Sequence, residues 1–265
     1  TSITPAIIQE HIDQIINMRR VRQPDWGQDI DYSAVIDELI RRFSQWIGKD
    51  STLQNGEGHI PWLTAARKQN WIYWLRYREW LEFKLSPVAV DALDQSTDWV
   101  LSLLEDPQRD GRWDRRGLVV GHVQSGKTSH YTGLINKAAD AGYKIIIVLA
   151  GLHNNLRAQT QIRLDEGFLG YETGPLTADE FRTIGVGELN SDVEIPHSIT
   201  TRAQNGDFNT RVARNFGVSP EKRPWLFVVK KNKTVLKRLL GWIHNRVADT
   251  QDQETGRKIV THLPL

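Results

Sequence analysis

Apolar positions recur at helical spacing through the first part of the chain. Ile8, Ile12 and Ile15 form one such series, and Val35, Ile36, Leu39, Ile40, Phe43, Trp46 and Ile47 form another, the period of amphipathic helices. A third helix is expected to carry Trp71, Trp74 and Leu75. A fourth runs near Val100, Leu101 and Leu104 until "EDPQRDG" stops it with proline and glycine. Residues 1–110 therefore read as an all-helical domain. After "DGRWDRRG" the period changes. Leu118–Val120, Ile145–Leu149 and Leu226–Val229 are short runs rich in branched residues and bounded by glycine, proline or charge, as expected of strands buried on both faces of a parallel sheet. Between the first two, Tyr131, Leu134, Ile135, Ala138 and Ala139 fall on one helical face, and "AGYK" closes the segment. The unit reads as strand, crossover helix and strand, right-handed by the general rule. Residues 172–223 turn polar and are punctuated by "TGP", "NSD", "QNGD" and "VSPEKRP", which predicts a loop-rich insertion with short helices.

The loop between the first predicted strand and its helix is "GHVQSGKT", Gly121 to Thr128, and it fits G-x-x-x-x-G-K-[ST] with no mismatch. Its glycines permit a tight backbone path with inward-pointing amides, and the following helix adds the positive end of its dipole, so a polyphosphate is the natural guest. Gly121, Gln124, Ser125, Gly126, Lys127 and Thr128 are the candidate binding residues. Lys127 would reach the β and γ phosphates, and the Thr128 hydroxyl would complete the shell of a magnesium ion. A guanine site requires N-K-x-D, and the one comparable stretch, "KKNKTV", puts Val235 where the aspartate belongs; ATP is therefore the expected nucleotide. The pattern predicts an α/β fold, a RecA-like P-loop domain with a parallel sheet over 111–265, preceded by the all-helical domain.

Composition narrows the remaining possibilities. The 265 residues are 25% charged and 39% hydrophobic, a globular balance. The longest apolar run, Ile145 to Leu152, is far short of the roughly 18 residues a membrane span needs. The opening residues lack the layout of a secretion signal, and there is no cysteine, so disulfides and thiolate metal sites are excluded and a cytoplasmic location is expected. A net charge of +2 does not by itself argue for nucleic acid. Eight of the ten tryptophans lie at or before Trp113, and their spacing favours helix packing over base-stacking platforms.

Local clusters carry the nucleic-acid expectation. His153, Asn154, Asn155, Arg157, Gln159 and Gln161 follow the second predicted strand, at the carboxyl end of a parallel sheet where doubly wound folds place ligands. Helix capping by Asn154 or Asn155, and pairing of Arg157 with Asp165 or Glu166, are the structural alternatives. "KKNKTVLKR" sets Lys230, Lys231, Lys233, Lys237 and Arg238 beyond the third strand, either against nucleic-acid phosphates or as a solvated helix face. "MRRVRQ", with Arg19, Arg20 and Arg22, is a lesser patch. A partial nuclease pattern, Pro24 and Asp25 with Glu82, Phe83 and Lys84, is disfavoured because "WLRYREWLEFK" reads as helix rather than strand. The eight histidines show no zinc spacing, and no G-x-S-x-G is present.

The stretch from Arg116 to Gly170, together with "PWLFVVKKNKTVLKRLLGWI", resembles the Z-one domain family of bacterial proteins. That family comprises helicase-like P-loop ATPases, often labelled endonucleases, from defence-type gene clusters that also hold MutL-like ATPases. The resemblance implies an ATP-dependent motor acting on DNA in anti-phage defence or restriction, or alternatively a nucleotide-dependent switch that recruits a partner such as a MutL-like ATPase. It also leads to the expectation of an acidic Walker B sequence after an apolar strand, which this chain lacks before "KIVTHLPL". Asp165, Glu166, Asp249 and Asp252 fit that role poorly. The chain is accordingly expected to be an amino-terminal piece of a longer protein that binds ATP and hydrolyses it weakly.

Overall fold

The computed structural model describes residues 5–27, 30–35, 58–111, 113–120, 126–174, 182–189, 194–215 and 223–260. It is a mixed helix and sheet structure. Its helices are α1 (Pro5–Arg20), α2 (Tyr73–Glu82), α3 (Pro87–Ser102), α4 (Lys127–Ala141), α5 (Asn154–Leu164), α6 (Thr210–Asn215) and α7 (Lys233–Trp242). The strands are β1 (Ile145–Leu149), β2 (His197–Ser198) and β3 (Trp225–Val229), which form one parallel sheet in the order β1-β3-β2, and β4 (Thr250–Gln251) with β5 (Lys258–Ile259), which form an antiparallel pair. The second predicted helical series lies mostly outside the described residues. No described helix is long and apolar enough to cross a membrane.

β3 occupies the centre because every one of its side chains is apolar, and all five are buried. Trp225, Phe227 and Val229 face α7, where Trp225 stacks on Trp242 with ring centroids 5.8 Å apart. Leu226 and Val228 face the opposite side with Ile135 and Ala139 of α4 and Leu164 of α5. Such a two-sided strand is the physical meaning of an uninterrupted apolar run. β1 aligns beside it from Ile145 opposite Trp225 to Leu149 opposite Val229, and Ala150 continues the ladder by donating to the Val229 carbonyl at 2.8 Å.

Two expectations need correction. Leu118–Val120 is not a strand: among the described residues it has no ladder partner, and its three side chains are exposed, since branched residues favour extended backbone without supplying the neighbour that a strand requires. The 172–223 segment is more than a loop-rich insertion, because it contributes β2, whose His197 and Ser198 align with Trp225 and Leu226 of β3.

Helix α4 is buried on two sides rather than one. Ile135 and Ala139 meet the sheet, whereas Leu134, Ala138 and Ala141 join a second core with Trp71, Trp74, Tyr77, Leu93 and Leu101. The helices on either side of residue 110 thus share one hydrophobic cluster. Local capping sets their ends: Ser86 accepts from the Ala89 amide ahead of Pro87 at the start of α3, and Gly142, at φ +117°, closes α4. The start of α2 is capped from a distance. The Asp140 carboxylate on α4 accepts from the amides of Ile72, Tyr73 and Trp74 at 2.8, 3.0 and 2.7 Å.

Lys137 binds the layers electrostatically. Its ammonium is wholly buried, donates to the carbonyl of Asp94 at 2.7 Å, pairs with the Asp94 carboxylate and reaches Asp98 at 2.6 Å. Removing one side of a buried pair leaves uncompensated charge. Lys137→Met is therefore expected to cost about 3 kcal/mol in urea unfolding, and a loss below about 1 kcal/mol would show that the two aspartates escape to solvent without penalty. Burial pushes the Asp140 carboxyl up to about 6 despite its three amide donors. A carboxyl raised on folding stabilises the fold below its unfolded value and loses that contribution as pH rises through about 6. The stability gap between the wild-type chain and Asp140→Ala should hence shrink by about 2–3 kcal/mol between pH 4 and pH 7, which denaturant melts at both pH values would measure.

Candidate nucleotide site

α4 begins at the end of the glycine-rich loop, and its backbone explains the second glycine. Gly126 precedes the helix at φ +73°, in the left-handed region, and offers no side-chain cap; a residue with a β-carbon would be strained there. Lys127 and Thr128 follow as the first two helical residues and both are exposed. The His130 amide closes the turn on the Gly126 carbonyl at 3.0 Å. Burial raises the Tyr131 pKa, and the neighbouring Thr128 side chain opposes that. Gly121, Gln124 and Ser125 lie outside the described residues. The structure therefore brings together Gly126, Lys127 and Thr128 at the amino-terminal, electropositive end of a 15-residue helix.

The candidates beyond β1 separate into two groups. His153 and Asn154 are exposed at the start of α5, with His153 in the extended N-cap position and contributing no side-chain cap. Arg157 and Gln161, one and two turns further on, have no exposure at all. Their assignment as nucleic-acid contacts is corrected by what they bind: Arg157 donates to the Ala203 carbonyl at 2.5 Å, and Gln161 donates to Asp165 and Ser198 while accepting from Thr200 at 2.7 Å. Asp165, also wholly buried, accepts from Gln161, from the amide and hydroxyl of Thr173, and from Arg202. The alternative of a surface pairing for Arg157 also gives way to this interior network, in which Arg202 supplies the ion pair to Asp165 at 3.0 Å. Burial lowers the Arg157 pKa, and the charges of Asp207 and Asp165 oppose that.

The basic run after β3 is similarly divided. Lys230 lies 3.7 Å from the Asp207 carboxylate. Lys231, Lys233, Lys237 and Arg238 are exposed, and the Lys231 amide donates to the Gly151 carbonyl at 2.7 Å, which sets the β1 and β3 ends side by side. Asn232 caps α7 by accepting from the Thr234 amide at 2.9 Å. Glu82 pairs with Arg78 on the exposed side of α2, and Lys84 sits over the Trp80 ring, so the partial nuclease pattern is dispersed into helix-surface contacts. Among the described residues no group of three His, Cys, Asp or Glu side chains could hold a metal ion.

Sequence reasoning did not single out Ser96, His130 or Tyr77, each of which contacts the first turn of α4 or belongs to it. A histidine three residues after Lys127 was the available signal, though the serine and tyrosine come from other helices. Comparison with family models, with curated proteins and with solved structures returns no match.

The interior network yields a direct expectation. Gln161→Leu strands the Thr200 hydroxyl and one Asp165 oxygen, and should cost about 2 kcal/mol or more in chemical denaturation, while Lys231→Ala should stay within about 0.5 kcal/mol of wild type. Equal effects from the two variants would contradict the division into buried and exposed candidates.

Proposed function

We propose that the chain is a P-loop module that binds ATP with magnesium, and that it serves a helicase-like ATPase acting on DNA. The observation that carries the nucleotide assignment is the junction at Gly126. A complete G-x-x-x-x-G-K-T sequence ends on a left-handed glycine at the start of α4, with Lys127 and Thr128 exposed on its first turn. Parallel β1 follows α4 directly, which supplies the helix-strand half of a strand-loop-helix-strand phosphate site, while Leu118–Val120 ahead of the loop is exposed and unpaired among the described residues. Thr128 is the residue that would hold magnesium, with the nucleotide phosphates supplying further oxygens. A RecA-like arrangement is the proposed context for this junction.

The resemblance to Z-one proteins supports the DNA-directed and defence parts of the proposal, and exposed His153, Asn154, Lys231 and Lys233 beyond the β1 and β3 ends supply polar and basic groups for a phosphate backbone. The recruiting switch is a second reading, favoured by the packing of α2 and α3 against the helix that starts at the loop. DNA-stimulated ATP hydrolysis by the protein in its natural full length separates the motor from the switch.

Calorimetric titration of ATP with magnesium is the direct test. Saturable binding is expected for the wild-type chain, with a loss of about tenfold or more for Lys127→Ala and weaker binding of GTP. A folded chain that binds no ATP, or a Lys127→Ala variant that binds as well as wild type, would sink the assignment.

A further inference from the structure

The first turn of α4 is fastened to both outer helices within three residues of Lys127. The imidazole Nε2 of His130 lies 3.0 Å from the Ser96 hydroxyl of α3. Ser96 is a buried residue in the middle of that helix. One position earlier, the Ser129 carbonyl accepts from the Tyr77 hydroxyl of α2 at 3.4 Å. Tyr77 is 2% exposed and belongs to the aromatic core between α2 and α4. The same His130 donates its amide to the Gly126 carbonyl, so one residue joins the glycine of the loop to the outer helical layer. Further along, Lys137 and Asp140 tie the middle and end of α4 to α3 and α2.

These contacts have a geometric consequence. Apolar packing tolerates small rotations of a helix about its axis, whereas a hydrogen bond to a buried hydroxyl fixes the azimuth, because it weakens steeply with misalignment. The azimuth of the first turn sets where the Lys127 side chain and the amides of residues 126–128 point. Holding those donors in place before a ligand arrives removes an ordering cost from binding.

We infer that His130, Ser96 and Tyr77 are positioning residues for the phosphate-binding turn, which makes the outer helices part of the nucleotide site. The inference rests on the nucleotide assignment above. His130 and Ser96 form the polar hinge-pin of this arrangement, and Tyr77 supports it from the second helix. By linkage, a nucleotide that favours this azimuth also steadies α2 and α3.

The experiment is ATP–magnesium titration of the whole chain as wild type, His130→Leu, Ser96→Ala, His130→Gln and Trp242→Leu, with a thermal melt of each. His130→Leu and Ser96→Ala are expected to weaken binding roughly five- to tenfold, the value of one hydrogen bond. His130→Gln, whose amide reaches towards Ser96 from the same helical position, should recover most of that loss. Trp242→Leu opens a cavity in the core on the far face of the sheet. It should lower the melting temperature while leaving ATP affinity within twofold of wild type, roughly the scatter of such measurements. If His130→Leu fails to fold, Ser96→Ala removes the same bond with a smaller loss of volume. Wild-type affinity in both variants overturns the positioning role, as does an equal affinity loss in Trp242→Leu, which would reduce the effect to general destabilisation. Absence of ATP binding by wild type overturns the nucleotide assignment and this inference with it.

Discussion

The buried ammonium of Lys137 is the constraint on which the arrangement of layers depends. A charge taken wholly out of water is tolerated only with partners at close range and with its remaining protons bonded. Here those requirements are met by two carboxylates one helical turn apart on α3, by the Asp94 carbonyl, and by the face of Trp74 at 4.2 Å. Asp94 and Asp98 must therefore face α4, and Trp74 must lie beside them. That places α2 as well, since Trp74 is near its start and the Asp140 carboxylate caps the same turn. One charged side chain thereby links three helices, while apolar contacts among Leu93, Leu101, Leu134 and Ala138 fill the space between.

The opposite face of α4 answers to the sheet. β3 can be apolar at every position because α7 covers one face and α4 with α5 covers the other. The polar residues that enter this interior are held in a closed network: Gln161, Asp165, Thr173, Thr200 and Arg202 bond one another across three chain segments. Thr200 also accepts the Val228 amide at 2.9 Å, attaching the network to the central strand. A hydrogen-bonded network of this kind favours a single register for the segment that carries β2.

Much of this architecture could be read from periodicity, and what could not has a common cause. The runs Ile145–Leu149 and Leu226–Val229 became strands, and the spacing from Tyr131 to Ala139 became a helix, because local pattern and tertiary demand coincide there. The pattern did not reveal that α4 is buried on two sides, since Leu134 and Ile135 are equally apolar and only the neighbouring layers assign them to different cores. β2 was missed because His197 and Ser198 lack the alternation of a strand and owe their state to β3. Arg157 and Gln161 looked like ligand-facing groups because they are polar near a strand end. Their partners, Ala203 and Thr200, lie about 40 residues away in sequence, beyond the reach of local inference. Leu118–Val120 illustrates the converse: strand-forming residues remain exposed coil where no ladder receives them.

α4 joins the two kinds of evidence at its first turn, which, like that of α5, begins without a side-chain cap. α2, α3 and α7 each begin with a carboxylate, hydroxyl or amide oxygen accepting their first amides. α4 begins on a glycine with no side-chain cap, has no acidic residue in its first turn, and places Lys127 there. Lysine at that end opposes the helix dipole. Deeper in the same helix, Asn136 bonds the carbonyls of Thr132 and Gly167, and Lys137 is paired on two sides. The buried part of α4 is thus held by its neighbours, while its exposed first turn presents Lys127 at the positive end of the helix dipole. A polyphosphate there would set negative charge at the positive end of the helix dipole and beside Lys127.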